Sequence, residues 1–235
     1  MLGLTGCNGQ PLDLDKIDFN KKPSFEDFKL SRLDIHTGTW IFDTDSVLAS
    51  KGNQKGTWVL DGDSVLTLKG NLKSTHYYFR TIEELDLLRF NKLPIDDIGA
   101  KLVEYNNKLV YADFSLNYKK TFEVFNHLKQ KLGMPEYQLY KTIVHNKEDP
   151  MVKLLLKNLN KDDGLKKTID EYDDEIWIYP YRNVWVKDNL IYQYTLGQGV
   201  DRFNNKITII SKEAIAKKIV FGYHNLVNDP IFKNF

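Results

Sequence analysis

The chain has 235 residues, with 42% hydrophobic and 28% charged residues and a formal net charge of +1. This composition is typical of a folded globular protein large enough to bury a core without a metal or disulfide. The balanced charge disfavours a nucleic-acid partner, because proteins that bind phosphate backbones carry a basic surplus. No apolar run reaches the roughly 18 residues of a membrane-spanning helix, and a single cysteine excludes an internal disulfide or a cysteine-rich zinc site.

The first feature in chain order is the run Leu4-Thr5-Gly6-Cys7. It resembles the lipobox of bacterial lipoproteins, in which a signal peptidase cleaves before a cysteine whose sulfur then carries a diacylglycerol. The resemblance covers these four residues alone. It implies lipidation of Cys7, a membrane partner reached through that lipid, and a location in the bacterial cell envelope; a cytoplasmic protein is the alternative. Because a secretory signal needs a basic start and an apolar stretch, the resemblance also implies further residues ahead of Leu4.

Residues 8–23 combine Gly, Pro and many charged residues, which is typical of a tether between an anchor and a domain. We therefore predict a lipobox remnant and flexible tether over 1–23, a β-meander region with a duplicated hairpin over 24–94, and an α+β region over 95–235. One continuous domain over 24–235 is the alternative. The short stretch from Ser24 to Asp27 predicts a helix N-terminus.

A fifteen-residue segment that begins at Gly38 recurs from Gly56, with ten identical positions. Apolar residues alternate with polar ones on both sides of an Asp-x-Asp-Ser in each copy, which predicts two like hairpins in one meander, with Trp40 and Trp58 at equivalent positions. The four aspartates, Asp43, Asp45, Asp61 and Asp63, are the kind of hard oxygen ligand that Ca²⁺ prefers. The Gly and Glu of a calcium loop are absent, so turn chemistry is the preferred interpretation and a metal site the weak alternative.

The middle of the chain predicts a hairpin followed by helices. A capping-box pattern at Thr81 favours a short helix, with a strand as the alternative, in a segment that Pro94 closes. Ala100–Leu116 alternates about Asn106-Asn107, a pair suited to a tight turn. An apolar stripe through Phe122, Phe125 and Leu128 predicts a helix that Gly133 ends. A second helix begins at Asp149-Pro150. A third, shorter helix is predicted over Leu165, Ile169 and Tyr172.

Strands return after residue 175, with turns predicted at Asp188-Asn189 and Asn204-Asn205. A last short helix is predicted over 212–218, capped by Ser211. Because the strands and helices are segregated along the chain, the predicted fold class is α+β, with antiparallel β-meanders and hairpins flanking a central group of two to three helices.

A candidate binding face lies on the strand that contains Trp177, Tyr179 and Tyr181, with Trp185 nearby in sequence. Aromatic side chains offer large contact area with few rotors, so an exposed stripe of them can stack on a sugar or anchor a protein. A strand buried on both faces is the preferred interpretation, since contiguous exposed apolar patches are uncommon. The solvent exposure of these side chains distinguishes the two interpretations.

The sequence carries no motif of a nucleophile, a phosphate-binding loop or a histidine metal site, so it predicts no catalytic residue and no cofactor. The preferred function is a non-catalytic binding module of the cell envelope with a protein or glycan partner. An immunity or inhibitor protein against a toxin or hydrolase is the first alternative. The second is an envelope glycan hydrolase that uses paired carboxylates such as Asp96-Asp97 or Asp173-Asp174-Glu175.

Overall fold

The computed structural model describes residues 11–19, 21, 34–42, 56–60, 72–80, 82–144, 149–199 and 202–216, with the backbone alone at 34–42, 56–60, 72–76, 83, 84, 97 and 144. Strands dominate this part of the chain. They are β1 (Leu12–Asp13), β2 (Asp34–Phe42), β3 (Gly56–Leu60), β4 (Leu72–Phe79), β5 (Leu88–Phe90), β6 (Leu93–Tyr105), β7 (Lys108–Leu116), β8 (Tyr137–Val144), β9 (Lys166–Ile169), β10 (Glu175–Lys187), β11 (Leu190–Gln198) and β12 (Phe203–Ser211). The helices are α1 (Ile82–Leu85), α2 (Thr121–Leu132), α3 (Pro150–Asn158) and α4 (Lys212–Ala216), with a 3-10 turn at Tyr118–Lys120.

The fold is therefore richer in strands and poorer in helices than the predicted α+β class, while its largely antiparallel pairing agrees with the prediction. The chain forms two compact units, one of residues 1–112 with 211–235 and the other of residues 113–210. The domain boundaries drawn from the sequence at 23 and 94 remain predictions.

The first unit places β2 between β3 and β4, and β4 pairs in turn with β6. In the predicted meander each strand pairs with the next along the chain, so the direct pairing of β2 with both β3 and β4 shows that this part of the prediction is wrong. The strands predicted after each Asp-x-Asp-Ser lie outside the described residues. Alternation identifies strand residues but does not determine which strand lies beside which. The register sets Trp40 opposite Trp58, so that the two Gly-Thr-Trp copies pair with each other antiparallel about this point. The predicted Asp-x-Asp-Ser turns lie outside the described residues.

Part of the predicted tether is not free, because Leu12–Asp13 form β1 and pair with β5, and Leu14 and Phe19 are buried. The helix predicted from Ser24 lies outside the described residues.

The hairpin and two short helices predicted in the first unit are confirmed. The hairpin between β6 and β7 turns at Asn106 and Asn107, both with positive φ (51° and 58°), as a tight turn requires. The helix predicted near Thr81 is the single turn α1, and Ser211 caps α4 by accepting a hydrogen bond from Ala214 N (3.1 Å). Pro94 does not end a segment; it is the second residue of β6, near a strand start where its missing N–H is tolerated.

The second unit is organised around the long strand β10. Along one edge β10 pairs with β8 over Ile176–Val184. Along its other edge β10 pairs first with β9, over Glu175–Ile178, and then with β11, over Arg182–Lys187. A register shift between Pro180 and Arg182 lies where the partner changes. Such an irregularity bends the strand and interrupts the simple alternation of its side chains.

Local signals in the sequence account for the two longer helices. Phe122, Phe125 and Leu128 of α2 are buried, and Gly133, with φ 88°, ends the helix and donates its N–H to Lys129 O (2.9 Å). Asp149 caps α3 by accepting a hydrogen bond from Met151 N (2.7 Å), and Pro150 occupies the first helical position. The predicted third helix is wrong, because residues 166–169 form β9.

Asn205 does not form the predicted turn either; it lies within β12 and is 4% exposed. Its side-chain amide binds the backbone of Leu116 at the end of β7 in both senses: Oδ1 accepts from Leu116 N and Nδ2 donates to Leu116 O, each at 2.8 Å. Nδ2 also donates to Thr121 Oγ1 (3.0 Å), which in turn donates to Phe203 O (3.0 Å). This buried network joins the end of β7, the start of α2 and the start of β12.

We expect Asn205→Ala to lower the free energy of unfolding by about 2–4 kcal/mol, because it leaves the buried N–H and C=O of Leu116 without their partner. The matched control is Asn204→Ala, at the half-buried neighbouring position, for which we expect a change of under about 1 kcal/mol. Urea denaturation followed by far-ultraviolet circular dichroism measures both. Equal losses in the two variants would contradict the role assigned to Asn205.

Candidate binding surface

Two of the four residues predicted for an exposed aromatic face are buried. Tyr179 is 0% exposed and packs edge-to-face against Phe203, with ring centroids 5.5 Å apart. Trp185 is 2% exposed; it packs against Phe125 of α2 and donates its Nε1–H to Gly133 O (2.8 Å). Both rings therefore contribute to the core of the second unit and present no surface to a partner.

The other two, Trp177 and Tyr181, are half-buried and covered by cations. Lys167 Nζ lies 5.7 Å from the Trp177 ring centroid, and Lys141 Nζ lies 4.6 Å from that of Tyr181. A cation over a ring face is attracted by the negative quadrupole of the ring. A sugar that stacked on these rings would have to displace a lysine, so these two residues do not make the open aromatic platform that a binding face requires.

The remaining predicted site residues, Cys7 and the four aspartates of the repeat, lie outside the described residues. Within the described part of the chain no three His, Cys, Asp or Glu side chains are placed to hold a metal ion. No helix there is both long enough and apolar enough to cross a membrane.

A different surface of the second unit has the properties of a binding site. We call residues 166–178 the arm: β9, the turn 170–174 and the first four residues of β10. All four residues of β9 are exposed, although successive residues of a strand point to opposite faces, so β9 is exposed on both faces. Among the described residues of the second unit, the arm also carries the most exposed large apolar side chains, Tyr172 at 77% and Ile169 at 60%.

Asp170 holds the turn of the arm in one conformation. Its Oδ1 accepts hydrogen bonds from Tyr172 N and Asp174 N, each at 2.9 Å. Its backbone N–H donates to Asp174 O (3.1 Å), and its carbonyl accepts from Asp173 N (3.3 Å). Asp173 has a positive φ of 63°, a conformation that aspartate tolerates better than most residues. The backbone on both sides of Tyr172 is thus fixed by local hydrogen bonds.

The base of the arm is held by side chains across the β9–β10 pair. Lys167 lies opposite Trp177, covers its ring and forms a salt bridge with Glu175. Ile169 lies opposite Glu175, and Lys166 lies 5.1 Å from the ring centroid of Tyr140 on β8. These contacts keep a strand that buries little of its own surface in register with β10.

The tip of the arm, residues 171–174, carries a negative charge. Three carboxylates, those of Glu171, Asp173 and Asp174, are exposed and have no ion-pair partner among the described residues. The other two acids of the run are used internally, since Asp170 caps the turn and Glu175 binds Lys167. The tip therefore presents one aromatic ring flanked by carboxylates, an arrangement suited to binding a protein surface. It brings together no nucleophile, general base and oxyanion donor.

The arm was missed because its apolar residues were assigned a helical period. Leu165, Ile169 and Tyr172 are spaced like a helix face, yet Leu165 is buried while the other two are exposed. The signal that could have identified the hairpin is the Asp170–Asp174 segment, because aspartates that bond their own backbone favour turns over helix interiors.

Tyr179 and Tyr194 are both 0% exposed, but their hydroxyl groups differ. The Tyr194 hydroxyl donates to Thr121 O (2.6 Å), whereas the Tyr179 hydroxyl has no hydrogen-bond partner among the described residues. Burial, with a smaller contribution from Tyr181, raises the pKa of Tyr179 to about 12. Burial also raises the pKa of Tyr194, and the hydrogen bond to Thr121 opposes that shift.

No family model, curated protein or solved structure matches this chain.

We expect Tyr179→Phe to change the free energy of unfolding by less than about 0.5 kcal/mol or to raise it, because it removes a buried hydroxyl that lacks a partner. Tyr194→Phe is the matched control and should cost about 1 kcal/mol, since it removes the buried hydrogen bond that the tyrosine hydroxyl donates to Thr121 O. Urea denaturation at pH 7 compares the two. Greater destabilisation by Tyr179→Phe than by Tyr194→Phe would contradict this assignment.

We also expect stability to fall as the pH rises from 10 to 12. Above pH 10 the tyrosines of the unfolded chain lose their protons, whereas Tyr179 and Tyr194 keep theirs while folded. The contribution of these two tyrosines to stability is therefore complete below pH 10 and is lost as the pH approaches their raised pKa in the folded state. Urea midpoints at pH 8, 10 and 11 measure the decline. Its slope should be shallower for Tyr179→Phe, by at most about 1.4 kcal/mol per pH unit.

Proposed function

We propose that the chain is a non-catalytic binding module of the bacterial cell envelope, anchored by a lipid on Cys7, with the arm as its contact surface. The observation that carries the proposal is the exposure of the arm together with its fixed turn. A hairpin that leaves Tyr172 and Ile169 in water adds little to folding, because burial of apolar area is the main source of stability. Those side chains are well placed to be buried against a partner.

The rigidity of the turn supports a binding role for the arm. An ordered loop loses less conformational entropy on association than a flexible one, so more of the contact free energy appears as affinity. Asp170 supplies that order through its two side-chain hydrogen bonds. Tyrosine suits the tip because it offers a large amphipathic surface with few rotors to immobilise.

An inhibitor or immunity protein is the second candidate. The observation that favours it is the pairing of an exposed aromatic residue, Tyr172, with exposed carboxylates at one tip. An inhibitor that blocks a cationic cleft needs this combination of charge and contact area.

The anchor has a direct test in the chain expressed with its own upstream reading frame. We expect the wild-type protein in the membrane fraction, released by detergent, because a cysteine that carries two or more acyl chains is a stable anchor. Cys7→Ser should move most of the protein to the aqueous fraction. Ser24→Ala, beyond the lipobox, is the control and should remain membrane-bound. Detergent phase partitioning with immunoblotting measures all three, and equal partitioning of wild type and Cys7→Ser would contradict the anchor.

A further inference from the structure

We propose that the arm binds a partner protein through a basic surface, with Tyr172 inserted among lysine and arginine side chains of the partner. The inference rests on the proposed function, since it specifies the chemistry of the partner that the arm contacts. It follows from three properties of the arm: its exposed apolar side chains, the fixed geometry of its turn and the sign of its unpaired charges.

The apolar contribution comes from Tyr172 and Ile169, exposed by 77% and 60%. Residues of this kind, when surrounded by polar groups, are the usual centre of a protein–protein contact. Ile169 ends β9, and Tyr172 lies three residues further along in the turn that Asp170 fixes. The two therefore belong to one continuous, ordered stretch of chain that a single partner surface can cover.

The charge of the tip selects the partner. Glu171 and Asp173 flank Tyr172 in the sequence, and Asp174 follows. All three are exposed, without an ion-pair partner in the described part of the chain. The lysines of β9 lie at the base of the arm, where Lys167 is neutralised by Glu175 and Lys166 lies against Tyr140. The tip itself is therefore anionic, and an acidic or neutral partner would not compensate its charge.

Two other classes of partner fit less well. An anionic lipid surface would repel the three carboxylates. A neutral glycan could stack on Tyr172 but would leave the carboxylates without a counter-charge at the contact. A basic protein surface satisfies both the ring and the charges, because lysine and arginine bind carboxylates and also pack on aromatic faces. Charge complementarity of this kind speeds association, while the aromatic contact slows dissociation.

The test uses the full chain in the cells that make it. p-Benzoylphenylalanine replaces Tyr172 in one variant and Met134, which is also exposed, in a control variant. We expect ultraviolet light to join position 172, and not position 134, to one protein, and the cross-linked peptide to lie in a surface rich in Lys and Arg. No specific product at position 172 would overturn both the inference and the role of the arm in the proposed function. A product whose contact surface is acidic or neutral would overturn the inference alone.

Binding measurements with the purified partner then distinguish the contribution of the carboxylates from that of the aromatic contact. In the tip variant Glu171→Gln/Asp173→Asn/Asp174→Asn we expect the association rate at low salt to fall by about tenfold or more. Tyr172→Ala should mainly raise the dissociation rate, by about tenfold or more. The matched charge control is Glu136→Gln/Asp162→Asn/Asp188→Asn, which removes three exposed carboxylates outside the arm. Surface plasmon resonance at 50 and 300 mM NaCl compares them, and a tip variant that behaves like this control would overturn the inference.

Discussion

The second unit depends on one buried side chain that binds the backbone of a residue far away in the sequence. The amide of Asn205 binds both the N–H and the C=O of Leu116, as a neighbouring strand would. Its remaining hydrogen bond reaches Thr121, the first residue of α2, whose carbonyl accepts the hydroxyl proton of Tyr194. Because every group in this network is buried, the loss of one partner would leave the other without a hydrogen bond and without access to water. The network thus fixes where β7 ends and where α2 begins, and α2 brings Phe125 against Trp185 and Tyr194.

The division between core and surface along β10 follows from its change of partner. Beside β11, the strand has α2 packed against it, so Trp185 is enclosed. Beside β9, Trp177 is covered by a lysine rather than by a helix. Tyr179 lies between the two paired stretches and is buried against Phe203, so the core part of β10 begins before the register shift between Pro180 and Arg182. Simple alternation along the whole strand therefore could not predict which aromatic residues are exposed. The candidate binding face of four residues combined residues from both environments.

Much of the fold could be predicted from the sequence wherever a few adjacent residues determine the structure. The Asn106-Asn107 turn, the Asp149-Pro150 helix start and the Gly133 helix end each depend on local backbone preferences. The order of β2, β3 and β4 could not be predicted, because strand pairing is non-local and alternation is the same for every partner. The role of Asn205 was hidden for a related reason. An Asn-Asn pair usually marks a turn, and only the position of Leu116, far away in sequence, makes Asn205 a buried connector. The arm was missed because a helical spacing of three apolar residues was preferred to the turn chemistry of Asp170.

The arm leaves apolar side chains in water, which forgoes folding stability, and yet its backbone is ordered. This combination is the reason to assign it a binding role. Leaving Tyr172 and Ile169 in water forgoes roughly 1.5–3 kcal/mol for each side chain relative to full burial. If the arm were only a connection between α3 and β10, a shorter polar turn would serve with less exposed apolar area and less repulsion between carboxylates. The chain instead stabilises this conformation with backbone hydrogen bonds to the Asp170 carboxylate and with the Lys167–Glu175 salt bridge. When a partner covers this ordered, exposed tip, burial of its apolar side chains supplies the free energy that folding forgoes. The carboxylates around Tyr172 then determine which partners can approach.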